Sequence, residues 1–173
     1  MNDADPVFAI GAADGRYRSK VCDLAPIVSE FGLMRYRVEV ECAWILFLSR
    51  CPEVQEFQSL SSEDEAFVQA IADEFDGEDA ARIKALEATT NHDVKAIEYF
   101  LKEAFAESQT LQAINEWIHF GCTSEDINNT AYGLMIKNAR EAILPTMQTL
   151  ITTLEQLAID NANFCLLYTS PSP

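Results

Sequence analysis

The sequence predicts an all-α protein. Its 173 residues include only six glycines and six prolines, so few positions interrupt a helix. Between these positions, apolar residues recur at steps of three and four, which is the period of a helix with one buried face. The long stretch 124–164 contains one proline and almost no other residue that disfavours a helix. Together these observations predict helices packed around a shared core.

The first long helix is predicted over residues 29–50. Within it, the letters RYRVEVE alternate as a half-buried strand would. The apolar run 42–48 follows directly, and no turn dipeptide separates the two parts. A helix is therefore the simpler prediction for residues 29–50. Residues 1–19, before it, are predicted to form a loop.

Four further helices follow in order. Ser62 and Glu65 match a capping box that opens a helix to about Phe75, with Gly77 marking its end. The next helix is predicted over residues 78–86. A third helix begins just after His92, because its apolar residues share one face: Val94, Ile97, Phe100, Leu101, Ala104 and Phe105. A shorter helix is predicted over residues 111–120.

The segment 124–164 predicts one very long helix that Pro145 should bend or break. Its apolar residues keep heptad-like steps: Leu144, Met147, Leu150, Ile151, Leu154, Leu157 and Ala158. A helix of this length exceeds what a small domain can cover. We therefore expect part of it to belong to a larger helical bundle or an oligomer.

Composition and charge exclude several classes of protein. Hydrophobic residues at 49% and charged residues at 23% are typical of a globular protein of one domain or pieces of two. A net charge of -16 argues against nucleic acid or an anionic membrane as a partner. Five cysteines without CxxC spacing predict neither a disulfide framework nor a zinc site. A reducing cytosol fits this pattern best, and no apolar run is long enough to cross a membrane.

Arg16 and Tyr17 form the first candidate binding motif, within the letters DGRY. A glycine turn would present a guanidinium and a phenol side by side, which suits a phosphate or carboxylate. The alternative is an ordinary surface turn, and spacing alone favours that alternative.

The triplet Asn91, His92 and Asp93 forms the second candidate motif. An imidazole and an amide at a helix start could form half of an anion pocket, since the helix dipole favours negative charge there. The alternative is that Asp93 caps the helix while His92 fills space. Spacing alone again favours the structural interpretation.

Thr123 and Ser124 form the third candidate motif. Thr123 with Asp126 matches a capping box, which explains both residues structurally. Two hydroxyls at a helix start also bind anions well. His119, in contrast, is expected to pack in the core within a helix, among Trp117, Ile118 and Phe120.

Three sequence blocks in this order carry a family resemblance: DGRY, EDAARIKALEATTNHDVKAIEYFLKE and IHFGCTSEDINN. The chain resembles the bacterial adenylosuccinate lyases, of the superfamily that also includes fumarase, aspartase and argininosuccinate lyase. The resemblance runs from about residue 13 to residue 158. It implies a lyase that releases fumarate from adenylosuccinate to give AMP, and from the succinylated aminoimidazole carboxamide ribotide in purine biosynthesis. It also implies a cytoplasmic homotetramer that needs no metal or organic cofactor.

The resemblance assigns roles to residues of the three motifs. It implies that Arg16 and Tyr17 contact the nucleotide and that Thr123 and Ser124 hold the substrate by their hydroxyls. It implies a substrate-binding triplet of Asn91, His92 and Asp93, in which His92 is the candidate for an auxiliary role in proton transfer.

Two family features are missing from this sequence. The family's principal catalytic histidine lies in a Thr-His-Gly stretch shortly after the point where this chain reads NFCLLYTSPSP, and its catalytic serine lies further on. We therefore expect an N-terminal fragment that is inactive alone, with an N-terminal helical domain (1–111), the start of a central helical bundle (112–164) and a tail outside the family (165–173). The alternative is a non-catalytic helical interaction module derived from the lyase fold.

Overall fold

The computed structural model describes residues 11–57 and 59–164, and every regular element in these ranges is helical. The predicted all-α class is therefore confirmed. The expectations for residues 1–10 and 165–173 lie outside the described residues. In chain order the helices are α1 (Arg18–Val21), α2 (Ala25–Val28), α3 (Glu30–Arg50), α4 (Ser62–Asp73), α5 (Gly77–Thr90), α6 (Asp93–Phe105), α7 (Gln109–Ala113) and α8 (Ser124–Asp160), with short 3₁₀ turns at Cys22–Leu24 and Asn115–Trp117.

Helix α3 lies at the centre of the fold. It begins at the cap residue Ser29, whose Oγ accepts the Gly32 N–H at 3.3 Å. The letters RYRVEVE are helical, as predicted, although they alternate. The reason is that α3 is buried on more than one side, where Tyr36, Val38 and Glu41 are all fully buried. A central helix needs no single apolar stripe.

Several predicted helix boundaries are wrong, including the ends of α5 at Thr90 instead of residue 86 and of α8 at Asp160 instead of residue 164. Ser61, rather than Ser62, caps α4, because its Oγ accepts the Asp64 N–H at 3.1 Å. Gly77 begins α5 instead of ending α4, since the Asp76 carboxylate caps the N–H groups that follow it. At the start of the described chain, α1 begins at Arg18, within the region predicted as loop.

Helix α6 follows its prediction closely. Five of the six residues predicted for its apolar face are buried: Val94, Ile97, Phe100, Leu101 and Phe105. Ala104 is only partly buried, whereas Ala96 and Glu98 are buried although they were not predicted. The ring of Phe100 meets that of Phe75 edge-on, with centroids 6.1 Å apart. This face joins the core that α3, α4 and α5 also line.

The helix predicted over residues 111–120 is wrong in its second half. Helix α7 ends at Ala113, a 3₁₀ turn covers Asn115–Trp117, and a non-helical connection leads to Thr123. His119 therefore does not lie within a helix. Its φ of 63° is left-handed, which a right-handed helix cannot contain.

Helix α8 continues through Pro145 and is not broken there. Its first half packs against α3, with Ile127 and Ala131 buried and the Asn138 side-chain amide donating to the Tyr36 hydroxyl at 2.6 Å. Every residue from 140 to 164 is exposed. The second half of α8 therefore extends away from the folded body. No helix in the described ranges is both long and apolar enough to span a bilayer.

We expect the 173-residue chain to self-associate through the second half of α8. Its exposed apolar side chains include Ile143, Leu144, Met147, Leu150, Ile151, Leu154 and Leu157. A contiguous apolar surface of this kind favours association. Light scattering should detect oligomers, and Leu150→Glu with Leu154→Glu should shift them toward the monomer. A monomer that binds no hydrophobic dye would contradict the expectation.

Candidate functional site

Arg16 and Tyr17 lie on an exposed turn. Two backbone hydrogen bonds shape it, from the Gly15 N–H to Gly11 O at 3.0 Å and from the Tyr17 N–H to Ala12 O at 2.9 Å. The guanidinium carbon of Arg16 lies 5.7 Å from the centre of the Tyr17 ring. The turn therefore presents the cation and the phenol together, as the DGRY motif predicts.

Asn91 and His92 form the junction between α5 and α6. Asn91 ends α5 in a left-handed conformation, with φ of 52°. His92 caps α6, since its Nδ1 accepts the Lys95 N–H at 3.2 Å. The interpretation in which Asp93 is the cap is therefore wrong.

The cap defines the proton position on His92. A nitrogen that accepts a hydrogen bond carries no proton, so the proton of the neutral ring lies on Nε2. For the same reason the 3.7 Å separation of Nδ1 from the Asp93 carboxylate is not an ion pair in this state. The side chain is 52% exposed, which leaves the Nε2–H available to a ligand.

Asp93 is bound by Arg37, a residue that the sequence analysis missed. The Arg37 guanidinium contacts Asp93 at 2.6 Å, and its Nε donates to Asn128 Oδ1 at 2.9 Å. Partial burial alone would raise the pKa of Asp93, but the Val94 N–H and the charge of Arg37 outweigh it and leave this pKa below its ordinary value. The sequence signal that could have identified Arg37 is a charged residue within the apolar stretch that forms the buried helix α3.

Thr123 and Ser124 open α8, as predicted. The Thr123 N–H donates to Asp126 Oδ2 at 2.7 Å, and the Thr123 hydroxyl donates to the same atom at 2.9 Å. These two bonds hold the pKa of Asp126 below its ordinary value, the backbone bond contributing most. Thr123 and Asp126 thus form the expected capping pair, and the Ser124 side chain is half-buried beside them.

Arg37 brings two of the three motifs into one arrangement. It contacts Asp93 in the first turn of α6 and Asn128 in the second turn of α8, so the positive ends of both helix dipoles are fixed to α3. The described hydrogen bonds and ion pairs do not join Arg16 or Tyr17 to either motif. The starts of α6 and α8 are therefore linked through Arg37, whereas the DGRY turn is not joined to them by the described contacts.

His119 also differs from its prediction in its surroundings. Its ring Nδ1 lies 2.6 Å from Glu41 Oε1, and its backbone N–H donates to Glu41 Oε2 at 3.1 Å. Burial raises the pKa of Glu41, while hydrogen bonds and charge from His119 oppose this shift. His119 is thus held by an acid rather than packed among apolar side chains alone.

A groove of about 740 Å³ lies between α3 and the start of α8. Its lining is mostly apolar and includes Trp44, Phe47, Cys122, Ile127 and Leu134. None of the seven candidate residues lines it. Within residues 11–57 and 59–164, no three His, Cys, Asp or Glu side chains are grouped as metal ligands.

Replacing Asp93 by asparagine should lower the free energy of unfolding at pH 7 by about 1 kcal/mol, because the carboxylate is half-exposed and solvent screens its pairing with Arg37. A lowered pKa in the folded state contributes stability above the ordinary pKa that is lost as pH falls through the folded value. The difference between the two proteins should therefore shrink below about pH 4.

Urea unfolding at several pH values measures this difference. Glu116→Gln is the control. The Glu116 side chain is 90% exposed, so this substitution should leave the unfolding curve unchanged. A difference between Asp93→Asn and the unaltered chain that stays constant with pH would contradict the prediction.

Comparison with known proteins supports the resemblance seen in the motifs. The sequence model of a family described as lyase matches residues 15–167. The adenylosuccinate lyase of Vibrio cholerae is 49% identical over 160 residues, which are 92% of this chain and 35% of that protein. Those of Escherichia coli K12 and Haemophilus influenzae are each 48% identical with the same coverage, so the chain spans 35% of the length of these relatives. The chain belongs to this lyase family, and within it the chain is similar to the adenylosuccinate lyases.

Proposed function

We propose that the protein contributes the substrate-binding helix starts of an adenylosuccinate lyase. The reaction releases fumarate from adenylosuccinate to give AMP, and from the succinylated aminoimidazole carboxamide ribotide. The observation that carries the proposal is that Arg37 fixes the starts of α6 and α8 to one helix. A substrate with several negative charges is favoured near the positive end of a helix dipole, and the exposed His92 side chain lies at one of these two helix starts.

The reaction requires a base, an acid and groups that bind a carboxylate of the substrate. A base removes a proton from the succinyl carbon beside the carboxylate, the electron pair forms the new C=C bond, and the C–N bond breaks as an acid protonates the nitrogen. Groups that hold the carboxylate stabilise the carbanion formed before the C–N bond breaks. We assign neither the base nor the acid to a residue of this chain.

We assign binding roles to the seven candidate residues. The exposed His92 Nε2–H donates to an anionic group of the substrate, with an auxiliary role in proton transfer, and Asn91 adds an amide beside it. Asp93 orients the helix start through Arg37. The remaining candidates contact the nucleotide or hold the substrate by hydroxyls: Arg16, Tyr17, Thr123 and Ser124.

Assembly and organisation are part of the same proposal. Residues 1–111 form an N-terminal helical domain and residues 112–164 begin a central bundle, whose further helices cover the exposed half of α8. The complete protein is a cytoplasmic homotetramer that needs no cofactor. The apolar side chains of residues 140–164 support this arrangement, since they need partners.

The test uses a chimera in which residues 15–164 replace the matching residues of the E. coli relative. We expect the chimera to release fumarate and His92→Ala to lower kcat/KM about tenfold or more, because a hydrogen bond to charged substrate is lost. His92→Asn is the matched control for stability, since asparagine still caps α6. It should keep the melting temperature of the chimera but lose the same activity.

The outcomes distinguish a substrate-binding role of His92 from a purely structural one. Full kcat/KM in both His92 variants would remove the binding role of the triplet. An inactive but folded chimera would instead favour a non-catalytic helical interaction module. The 173-residue chain alone should release no fumarate, since it spans 35% of the length of its relatives.

A further inference from the structure

Glu41 is a fully buried carboxylate that binds one residue twice. It lies on α3 with 0% exposure. Its Oε2 accepts the His119 backbone N–H at 3.1 Å, and its Oε1 lies 2.6 Å from the Nδ1 of the same residue. Both carboxylate oxygens of Glu41 therefore contact His119.

Stability alone is a poor reason for this contact. Removing a carboxylate from water is costly, and an apolar pair of similar volume is often as stable as a buried ion pair or more so. Glu98, from α6, adds a second nearby negative charge that disfavours ionised Glu41. What the pair supplies is a defined position for His119.

That position determines the path of the chain into α8. His119 and Gly121 both have positive φ, at 63° and 71°. The left-handed conformation is unfavourable for a residue with a side chain, so the two contacts with Glu41 stabilise His119 in it. Its carbonyl then accepts the Cys122 N–H at 3.1 Å, which closes the turn directly before Thr123.

We propose that Glu41 is a positioning residue, whose carboxylate holds His119 in the left-handed turn and thereby fixes Thr123 and Ser124 at the start of α8. The catalytic consequence rests on the proposed function, in which these two hydroxyls hold the substrate. Glu41 itself is buried and acts only through His119 and the turn.

Two measurements on the 173-residue chain test the proposal. Nitrogen NMR of the His119 ring should find the proton on Nδ1, donated to Glu41. In Glu41→Gln it should move to Nε2, because the glutamine oxygen takes the backbone N–H and its NH₂ group donates to Nδ1. In Glu41→Leu, whose side chain can make neither contact with His119, amide exchange at Cys122, Asp126 and Ile127 should become about tenfold faster, with α6 unchanged.

Val38→Ala is the control for general loss of stability. Val38 is fully buried on α3, one turn before Glu41. Its truncation should speed exchange in α6 and at the α8 start alike and leave the His119 ring proton in place. The proposal is overturned if Glu41→Leu speeds exchange in α6 and at the α8 start alike, as Val38→Ala does, or if it leaves the turn amides unchanged. It is also overturned if Glu41→Gln leaves the His119 ring proton on Nδ1.

The two Glu41 variants also separate this proposal from the proposed function on which it rests. In the chimera, Glu41→Leu should lower kcat/KM about tenfold, whereas Glu41→Gln, which keeps both contacts with His119, should lower it much less, because misplaced binding groups slow the reaction. An inactive unaltered chimera would refute the proposed function, whereas the exchange and NMR results on the 173-residue chain would still decide the role of Glu41.

Discussion

Gly32→Ala should lower the free energy of unfolding by about 2 to 3 kcal/mol. A Cβ at this position would contact the Ile27 carbonyl oxygen and lie 2.6 Å from the Ile27 carbonyl carbon. These are backbone atoms, so no side chain can rotate away to relieve the overlap. Helix α2 would have to move from the start of α3, which is the kind of overpacking that costs a few kcal/mol.

Gly133→Ala is the matched control. Gly133 lies inside α8 and is exposed, and beyond its chain neighbours and the backbone of its own helix no atom lies within 4 Å of an added Cβ. Alanine should therefore raise stability there by about 0.5 to 1 kcal/mol, because it restricts the unfolded chain and favours the helix. Urea unfolding of both variants measures the contrast. Equal effects of the two substitutions would show that the α2–α3 contact imposes no steric limit.

Periodicity allowed the sequence to predict the helices that bury one face. Helix α6 is the clearest case, because Val94, Ile97 and Leu101 are buried at helical spacing. Capping was predictable to within one residue only. In the letters LSSEDE, both Ser61 and Ser62 precede an acid by three positions, and local chemistry alone does not distinguish them.

Contacts between distant residues could not be predicted in this way. His119 and Glu41 are 78 residues apart, and the hydrogen-bond partners Arg37 and Asn128 are 91 apart. The letters around His119 are apolar, which favoured a helix, but the buried acid that stabilises its left-handed turn lies on α3. The motifs of the candidate site could therefore be identified from the sequence, whereas the residues that position them were found only from the contacts in the folded structure.

Arg37→Met should lower the free energy of unfolding by about 2 to 3 kcal/mol and loosen the starts of α6 and α8 together. The Arg37 side chain is 6% exposed, and its loss leaves Asp93 and Asn128 without their shared donor. Removing one partner of a fully buried pair costs about 3 to 5 kcal/mol, but Asp93 is half-exposed and regains water, which reduces the cost. Methionine retains much of the buried volume, so lost packing should contribute little.

Arg50→Met is the control on the same helix. Arg50 contacts Glu65 at 2.6 Å, the same distance as the Arg37–Asp93 pair, but its side chain is 63% exposed. Solvent screens exposed pairs strongly, so this variant should remain close to the unaltered chain in urea unfolding. Arg37→Lys should fall between the two, because one ammonium cannot reproduce the guanidinium fork that reaches both partners. If Arg37→Met and Arg50→Met lower the free energy of unfolding equally, the Arg37–Asp93 pair contributes no more than an exposed ion pair. The relative positions of the two helix starts must then depend on apolar packing.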